Sequence, residues 1–79
     1  MESSEFNNKI SESIIKVGKN IKNHRLNLGL TQQELAYRAG NIERGTVSNI
    51  ERFNCNGISL STLVKISAVL QIEICELFQ

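Results

Sequence analysis

The sequence predicts a compact all-α domain of five helices, and three observations support that prediction. Apolar residues recur at intervals of three or four along most of the chain, which is the period of a helix. The 79 residues include no proline and only five glycines, so few residues interrupt helices. A length of 79 residues is enough for one small domain and too little for two, and the 41% of apolar residues suffices for one small core.

The first helix is expected to follow an amino-terminal arm. Residues 1–12 form that arm, which frays over residues 1–6 and beyond them either stays apart or extends the first helix. The apolar positions of this helix follow the helical period: Ile10, Ile14, Val17, Ile21 and Leu28. Gly29 is expected to end the helix, because glycine readily adopts the left-handed conformation of a C-terminal cap.

The second helix is expected to begin directly after Thr31. Thr31 and Glu34 have the spacing of a capping box, in which each side chain bonds the backbone amide of the other residue. The helix runs to about Ala39 and buries its apolar side. Gly40 and Asn41 then form a sharp turn, since both residue types tolerate positive φ.

The third helix is expected to begin near Glu43 or Arg44, and its apolar positions are Ile42, Val47 and Ile50. Its other side chains are small or polar, without the Glu/Lys ladder common on exposed helices. Hydroxyl, amide and guanidinium groups of this kind hydrogen-bond base edges and phosphates in a DNA major groove. From this segment alone, an ordinary polar helix face is an equally good interpretation.

Two further helices are predicted in the last third of the chain. Ser59 closes a loop at residues 53–59 and caps the fourth helix, and residues 73–78 suit a short fifth helix. The inward positions of the fourth helix are expected to be Leu60, Leu63, Ile66 and Leu70.

This region carries more apolar side chains than a short helix can bury, and an exposed apolar patch marks an interface. We therefore expect an isologous two-fold dimer through the fourth and fifth helices. The expected interface residues are Val64, Ile72, Ile74, Cys75 and Phe78. The alternative is that the segment only covers its own core.

Charge and composition restrict the function. The net charge is +1, but residues 13–65 hold eight basic and three acidic residues, so the middle of the chain can face phosphate. Aspartate is absent, no Gly-rich phosphate loop occurs, and His24 has no metal-ligand partner at useful spacing, so an enzyme, a metal site and a cofactor are not expected. Cys55 and Cys75 are expected to be reduced thiols of a cytoplasmic protein, because no secretory signal or membrane-spanning apolar run is present.

A connected set of short motifs resembles the Cro/C1-type helix-turn-helix family, also called the XRE or lambda-repressor-like family. The motifs are Leu30-Thr31-Gln32, Glu34-Leu35-Ala36, Ala39-Gly40, Val47-Ser48-Asn49-Ile50-Glu51-Arg52 and Ser59-Leu60 with Leu63. The resemblance implies a five-helix DNA-binding and dimerisation domain over residues 13–79, with the helix-turn-helix at about 31–52. It also implies a homodimer on an inverted repeat in double-stranded DNA.

The family pattern implies roles by position. Base contacts are implied for Arg44, Thr46, Ser48 and Asn49. Phosphate contacts are implied for Gln32, Arg52 and Asn54. Arg25 and Glu51 match a buried ion pair that ties the first helix to the third in several members.

Three features depart from the family pattern. The turn between the second and third helices is one residue longer than in the family pattern, which can shift the register of the third helix. Glu43 therefore either caps the third helix or faces the DNA groove. Gly45 occupies a position at which members of the family often carry a side chain that contacts a base. Phe53 stands where glycine is usual, and the loop after it is also one residue longer, which affects the phosphate contacts there.

The leading hypothesis is a sequence-specific transcriptional regulator without a small-molecule ligand. A restriction-modification controller is placed first, ahead of a small phage-type repressor or an antitoxin. A hypothesis from another class is a protein-interaction module that keeps the fold without DNA readout, which Gly45 and the small net charge allow. A steep fall of DNA affinity with salt would favour the regulator, because phosphate contacts release counterions.

Overall fold

The structure, a computed structural model, describes residues 3–79 and contains four α-helices followed by a 3₁₀ helix. The elements are α1 at Ser3–Asn27, α2 at Gln32–Arg38, α3 at Arg44–Glu51, α4 at Leu60–Val69 and the 3₁₀ helix at Ile74–Phe78. The all-α prediction is confirmed. The fifth element is a 3₁₀ helix because its five residues are closed by short-range bonds such as that from the Glu76 amide to the Glu73 carbonyl, 3.0 Å.

The first helix begins at Ser3, well before its first buried residue, Val17. Residues 3–12 belong to α1, so residues 3–6 are helical where fraying was expected, and residues 1 and 2 lie outside the described part of the chain. No glycine interrupts the helix before Gly18, and Glu5 and Lys9 have the spacing that favours helix.

The core forms where all five elements meet. Its completely covered side chains are Ile21, Leu35, Val47, Ile50, Ile66 and Leu77. Leu60 was expected to face inward but is 68% exposed. Two of the apolar positions at helical period, Ile10 and Leu28, are also exposed because they lie beyond the core. Leu60 lies roughly a quarter of a turn from the buried face of α4, because successive residues rotate by about 100°.

Each α-helix ends in a left-handed residue. Gly29, Gly40, Phe53 and Gln71 follow the four helices in order, with φ values of 70°, 87°, 63° and 62°. After α1 the Leu30 amide donates to the Arg25 carbonyl at 3.1 Å and the Gly29 amide donates to the Leu26 carbonyl at 3.0 Å. This pair of bonds is a Schellman motif, and it satisfies carbonyl groups that the helix end would otherwise leave unpaired.

The turn between α2 and α3 accommodates its extra residue through a second left-handed position. Asn41, with φ 61°, follows Gly40, and its amide donates to the Tyr37 carbonyl at 3.0 Å. The Ile42 amide then reaches the Ala36 carbonyl, also at 3.0 Å, and the Ile42 side chain packs against the core. The additional residue is therefore absorbed before α3 begins.

Gln71→Gly is expected to stabilise the fold by about 0.5–1 kcal/mol in urea unfolding. A non-glycine residue in the left-handed region costs about 1–2 kcal/mol, and part of that gain is offset by the greater entropy of glycine in the unfolded chain. Gln71 is exposed, and its side chain forms no hydrogen bond with the other described residues. Phe53→Gly is the matched control: its ring packs on Gly18, so the same substitution there should give no gain. A Gln71 variant no more stable than wild type would contradict the expectation.

Candidate nucleic-acid interface

The outer face of α3 is set by the two side chains that anchor it. Val47 and Ile50 are completely buried, and a rotation of about 100° per residue places Gly45, Asn49 and Arg52 on the opposite side. Apart from its two neighbours and the nearby backbone of α3, no atom of residues 3–79 lies within 4 Å of where a Gly45 side chain would begin, so the centre of this face is backbone open to solvent. A groove wall or a base edge can therefore approach α3 closely there.

The other three side chains implied as base contacts border this face. Arg44 is exposed on the edge nearest the start of α2, and half-buried Thr46 lies on the opposite edge. Ser48 is half-buried on the same edge as Arg44. Along α3, Arg44 and Ser48 are neighbours four residues apart, and Thr46 and Asn49 are neighbours three residues apart.

A buried ion pair fixes α3 against α1. Arg25 donates from Nε to Glu51 Oε2 at 2.7 Å and from Nη2 to Glu51 Oε1 at 2.8 Å. The two side chains are only 9% and 4% exposed. Arg25 Nη1 also donates to the Leu30 carbonyl at 2.8 Å. The hydrogen bonds to Glu51 raise the pKa of Arg25 further above its ordinary value, against the smaller effect of burial.

Gln32 joins this pair from the first turn of α2. Its Nε2 donates to Glu51 Oε1 at 3.2 Å, so α1, α2 and α3 meet at one carboxylate. The amide group of Gln32 thus has a structural partner in addition to the phosphate contact implied by the family pattern. A shallow groove lies beside it, lined by Thr31, Gln32, Gln33 and Arg44 together with Arg25. Gln33, which the sequence did not single out, is exposed here beside Arg44.

Two side chains assigned to different DNA contacts hold each other at the far end of α3. Arg52 Nη2 donates to Asn49 Oδ1 at 3.0 Å. With that oxygen occupied, the Asn49 amide presents its N–H groups to an approaching acceptor. Asn54 is exposed after the helix, and its backbone amide donates to the Asn49 carbonyl at 2.8 Å. Asn49, Arg52 and Asn54 thus form one polar cluster.

Most of the acidic side chains near this surface bond other residues of the protein. Glu51 is paired with Arg25, and Glu34 completes the capping box, accepting from the Thr31 amide at 3.0 Å. That backbone bond, and then the bond with the Thr31 side chain, hold the pKa of Glu34 below its ordinary value. Glu43 occupies the N-cap position of α3, but its side chain makes no capping bond and is exposed. Glu43 is therefore the N-cap residue by position, without the side-chain bond of a cap.

The residues expected at a dimer contact differ in their exposure. Val64, Cys75 and Phe78 are exposed, and Leu60 joins Val64 one turn away on α4. The other two, Ile72 and Ile74, are half-buried and pack against their own core. The structure thus leaves an apolar surface on α4 and the 3₁₀ helix that includes a residue, Leu60, expected to be buried.

The described residues show neither a metal-ligand cluster nor a membrane-spanning helix. Within residues 3–79, no three histidine, cysteine or glutamate side chains converge as metal ligands, and none of the helices formed there is long and apolar enough to cross a bilayer. Cys55 and Cys75 are free thiols, and burial raises the pKa of Cys55. A raised pKa reduces the reactivity of that thiol.

Comparisons with known proteins agree with this geometry. A family model described as helix-turn-helix matches residues 21–77, which is more than two thirds of the chain. The crystal structure of the restriction-modification controller protein C.AhdI from Aeromonas hydrophila is similar to this chain, with 34% sequence identity and a TM-score of 0.75. The alignment covers 82% of this chain and 96% of that one. No curated protein sequence gave a match.

Proposed function

Because the chain belongs to the Cro/C1-type (XRE) helix-turn-helix family of DNA-binding regulators, we propose that it regulates transcription by binding an inverted-repeat operator as a homodimer. The outer face of α3 is the observation that carries the proposal. It combines an open backbone at Gly45 with guanidinium, hydroxyl and amide groups around it. These are the groups that read base edges in a major groove.

In this proposal α3 enters the major groove and α2 crosses the DNA backbone. Arg44 reads a guanine through its O6 and N7 acceptors, and Asn49 donates to an acceptor on a neighbouring base edge. Arg52 orients the Asn49 amide through their hydrogen bond and reaches a phosphate with its remaining N–H groups. Gln32, Gln33 and Asn54 add phosphate contacts that position the helix without reading sequence.

The proposed dimer uses the apolar surface on α4 and the 3₁₀ helix. Leu60, Val64, Cys75 and Phe78 are its exposed members, and Ile72 and Ile74 support it from beneath. A two-fold contact there is isologous, and it would place two α3 helices about 34 Å apart, one turn of DNA. Two copies would then read the two halves of an inverted repeat.

The similarity to C.AhdI extends over nearly the whole of that chain, which supports a controller of restriction-modification genes as the specific role. We place this activity in the cytoplasm, where the operator is. The proposal requires no cofactor, metal or small-molecule ligand, so occupancy of the operator depends on protein concentration.

Selection of bound sites from a randomised duplex pool, at one fixed salt concentration, tests the proposal. Wild type should enrich an inverted repeat, and Arg44→Ala should lose preference at one position of each half-site at a cost of about 1–3 kcal/mol. Arg38→Ala, which removes the same charge from the end of α2, is the matched control and should keep the motif.

Each component of the proposal has its own contrary result. If folded wild type enriches no motif, sequence-specific DNA binding is wrong. An enriched single half-site would contradict the dimer. An unchanged motif for Arg44→Ala would show that another residue reads that base.

A further inference from the structure

The 3₁₀ helix that carries part of the proposed dimer surface is too short to hold its own position. It has five residues, and Leu77 is its one buried side chain. Its start is closed from within, because the Glu73 amide donates to Glu76 Oε2 at 2.7 Å. Isolated helices of this length are unstable, so contacts with the rest of the domain must fix where Cys75 and Phe78 lie.

Asn20 of α1 closes the other end of this helix. Its Nδ2 donates to the Leu77 carbonyl oxygen at 2.9 Å and to the Gln79 carbonyl oxygen at 3.1 Å. Carbonyl groups at the end of a helix lack partners within the helix, and they can only accept, so an amide N–H₂ group suits both. Within residues 3–79, Asn20 is the one side chain of another element that hydrogen-bonds the end of the 3₁₀ helix.

The helix α1 holds α3 on its other side. Gly18 lets α1 approach α3 so closely that a Cβ there would lie 2.5 Å from the Ile50 carbonyl oxygen. Further along α1, Arg25 bonds Glu51 of α3. At about 100° per residue, Asn20 lies about 160° round α1 from Gly18 and about 140° from Arg25, and both are within about one and a half turns of it. The helix α1 therefore lies between α3 and the 3₁₀ helix and connects them.

This arrangement makes the position of the 3₁₀ helix a part of DNA recognition. In a two-fold dimer, a displacement of the dimer surface relative to α3 is repeated in the second copy, so the separation of the two α3 helices changes by twice that amount. Successive base pairs are about 3.4 Å apart, so a shift of about 1.7 Å along the DNA in each copy corresponds to one base pair between half-sites. Bonds that hold the 3₁₀ helix against α1 therefore limit the half-site spacing that the dimer accepts.

We propose that Asn20 is a positioning residue that sets the half-site spacing of the operator. The inference rests on the proposed homodimer and deepens it. In this role Asn20 contacts neither DNA nor the second copy, and instead holds Cys75 and Phe78 of the dimer surface at a fixed position relative to α3. Without its two bonds the end of the 3₁₀ helix can move, and the two α3 helices lose their fixed separation.

Asn20→Ala in the full-length chain tests this role, with binding measured at fixed salt on three duplexes. The first carries the inverted repeat that wild type enriches, the second has one base pair added between the two halves, and the third carries a single half-site. We expect Asn20→Ala to bind the first duplex about tenfold more weakly than wild type, because two hydrogen bonds of ordinary strength are lost. Its preference for the first duplex over the second should narrow, and its affinity for the third should equal that of wild type.

Asn23→Ala is the matched control. Asn23 is exposed on the same helix, and its side chain forms no hydrogen bond with the other described residues, so this variant should bind all three duplexes like wild type. Alanine favours a helix more than asparagine does, so neither substitution weakens α1. If Asn20→Ala matches wild type on the first two duplexes, or weakens binding to all three by one factor, the positioning role is wrong while the proposed function stands. Wild type that binds the inverted repeat no better than the single half-site overturns the proposed dimer, and this role with it.

Discussion

Glu51→Ala is expected to lower the free energy of unfolding by about 3–5 kcal/mol, because it leaves the Arg25 charge buried without its partner. Arg25 cannot relieve this by losing its proton, since an arginine side chain stays protonated in proteins. Gln32 would lose its bond to the same carboxylate, so the start of α2 would also be released. Urea unfolding followed by circular dichroism measures the effect.

The double variant Arg25→Met with Glu51→Met is the control for this pair. It removes both charges and retains apolar volume, and such replacements are often neutral or stabilising. We expect it to be at least about 2 kcal/mol more stable than the single Glu51 variant. A double variant as unstable as the single one would show that the pair contributes packing or positioning beyond its charges. A single variant as stable as wild type would contradict the buried-charge explanation.

Gly18→Ala is expected to destabilise the domain by about 2–3 kcal/mol, although alanine favours a helix over glycine by about 1 kcal/mol. The added Cβ would lie 2.5 Å from the Ile50 carbonyl oxygen and 2.8 Å from Cδ1 of Phe53. The Phe53 ring can rotate away, but the carbonyl belongs to the backbone of α3. The helices α1 and α3 would therefore have to separate, and the core between them would lose packing.

Gly45→Ala provides the matched comparison within a helix. Among the described residues, nothing beyond the adjacent part of α3 lies within 4 Å of its Cβ position, so only the helix preference of alanine changes. We expect this variant to be more stable than wild type by up to about 0.5–1 kcal/mol. Opposite signs for the two substitutions in urea unfolding would support the packing explanation, and equal stability of Gly18→Ala and wild type would contradict it.

Local features of the sequence predicted most of the helix boundaries. The Thr31 and Glu34 capping box is present in the structure, and the Ser59 side chain accepts from the Thr62 amide at 3.2 Å. Gly29 ends α1 as expected. These signals involve residues three to five apart, so both partners can be recognised within one short stretch of sequence.

Only part of the candidate site could be predicted from the sequence. The polar character of α3 indicated nucleic-acid binding, and the family resemblance supplied the pairing of Arg25 with Glu51, which are far apart in the chain. The exposed Gln33 beside Arg44 appears only in the structure, because the two residues belong to different helices and spacing alone does not bring them together. Asn49 and Arg52 are three residues apart, a spacing that permits their bond, and the structure shows that it forms.

The sequence by itself determined that this protein is a small all-α helix-turn-helix domain, because helical period, caps and turn residues act over a few positions. Tertiary structure alone decided that Leu60 faces outward, that Gly18 must lack a side chain, and that the start of α1 projects beyond the core. Each of these depends on where one helix axis crosses another. A crossing is set by the packing of the whole core, and no local pattern encodes it.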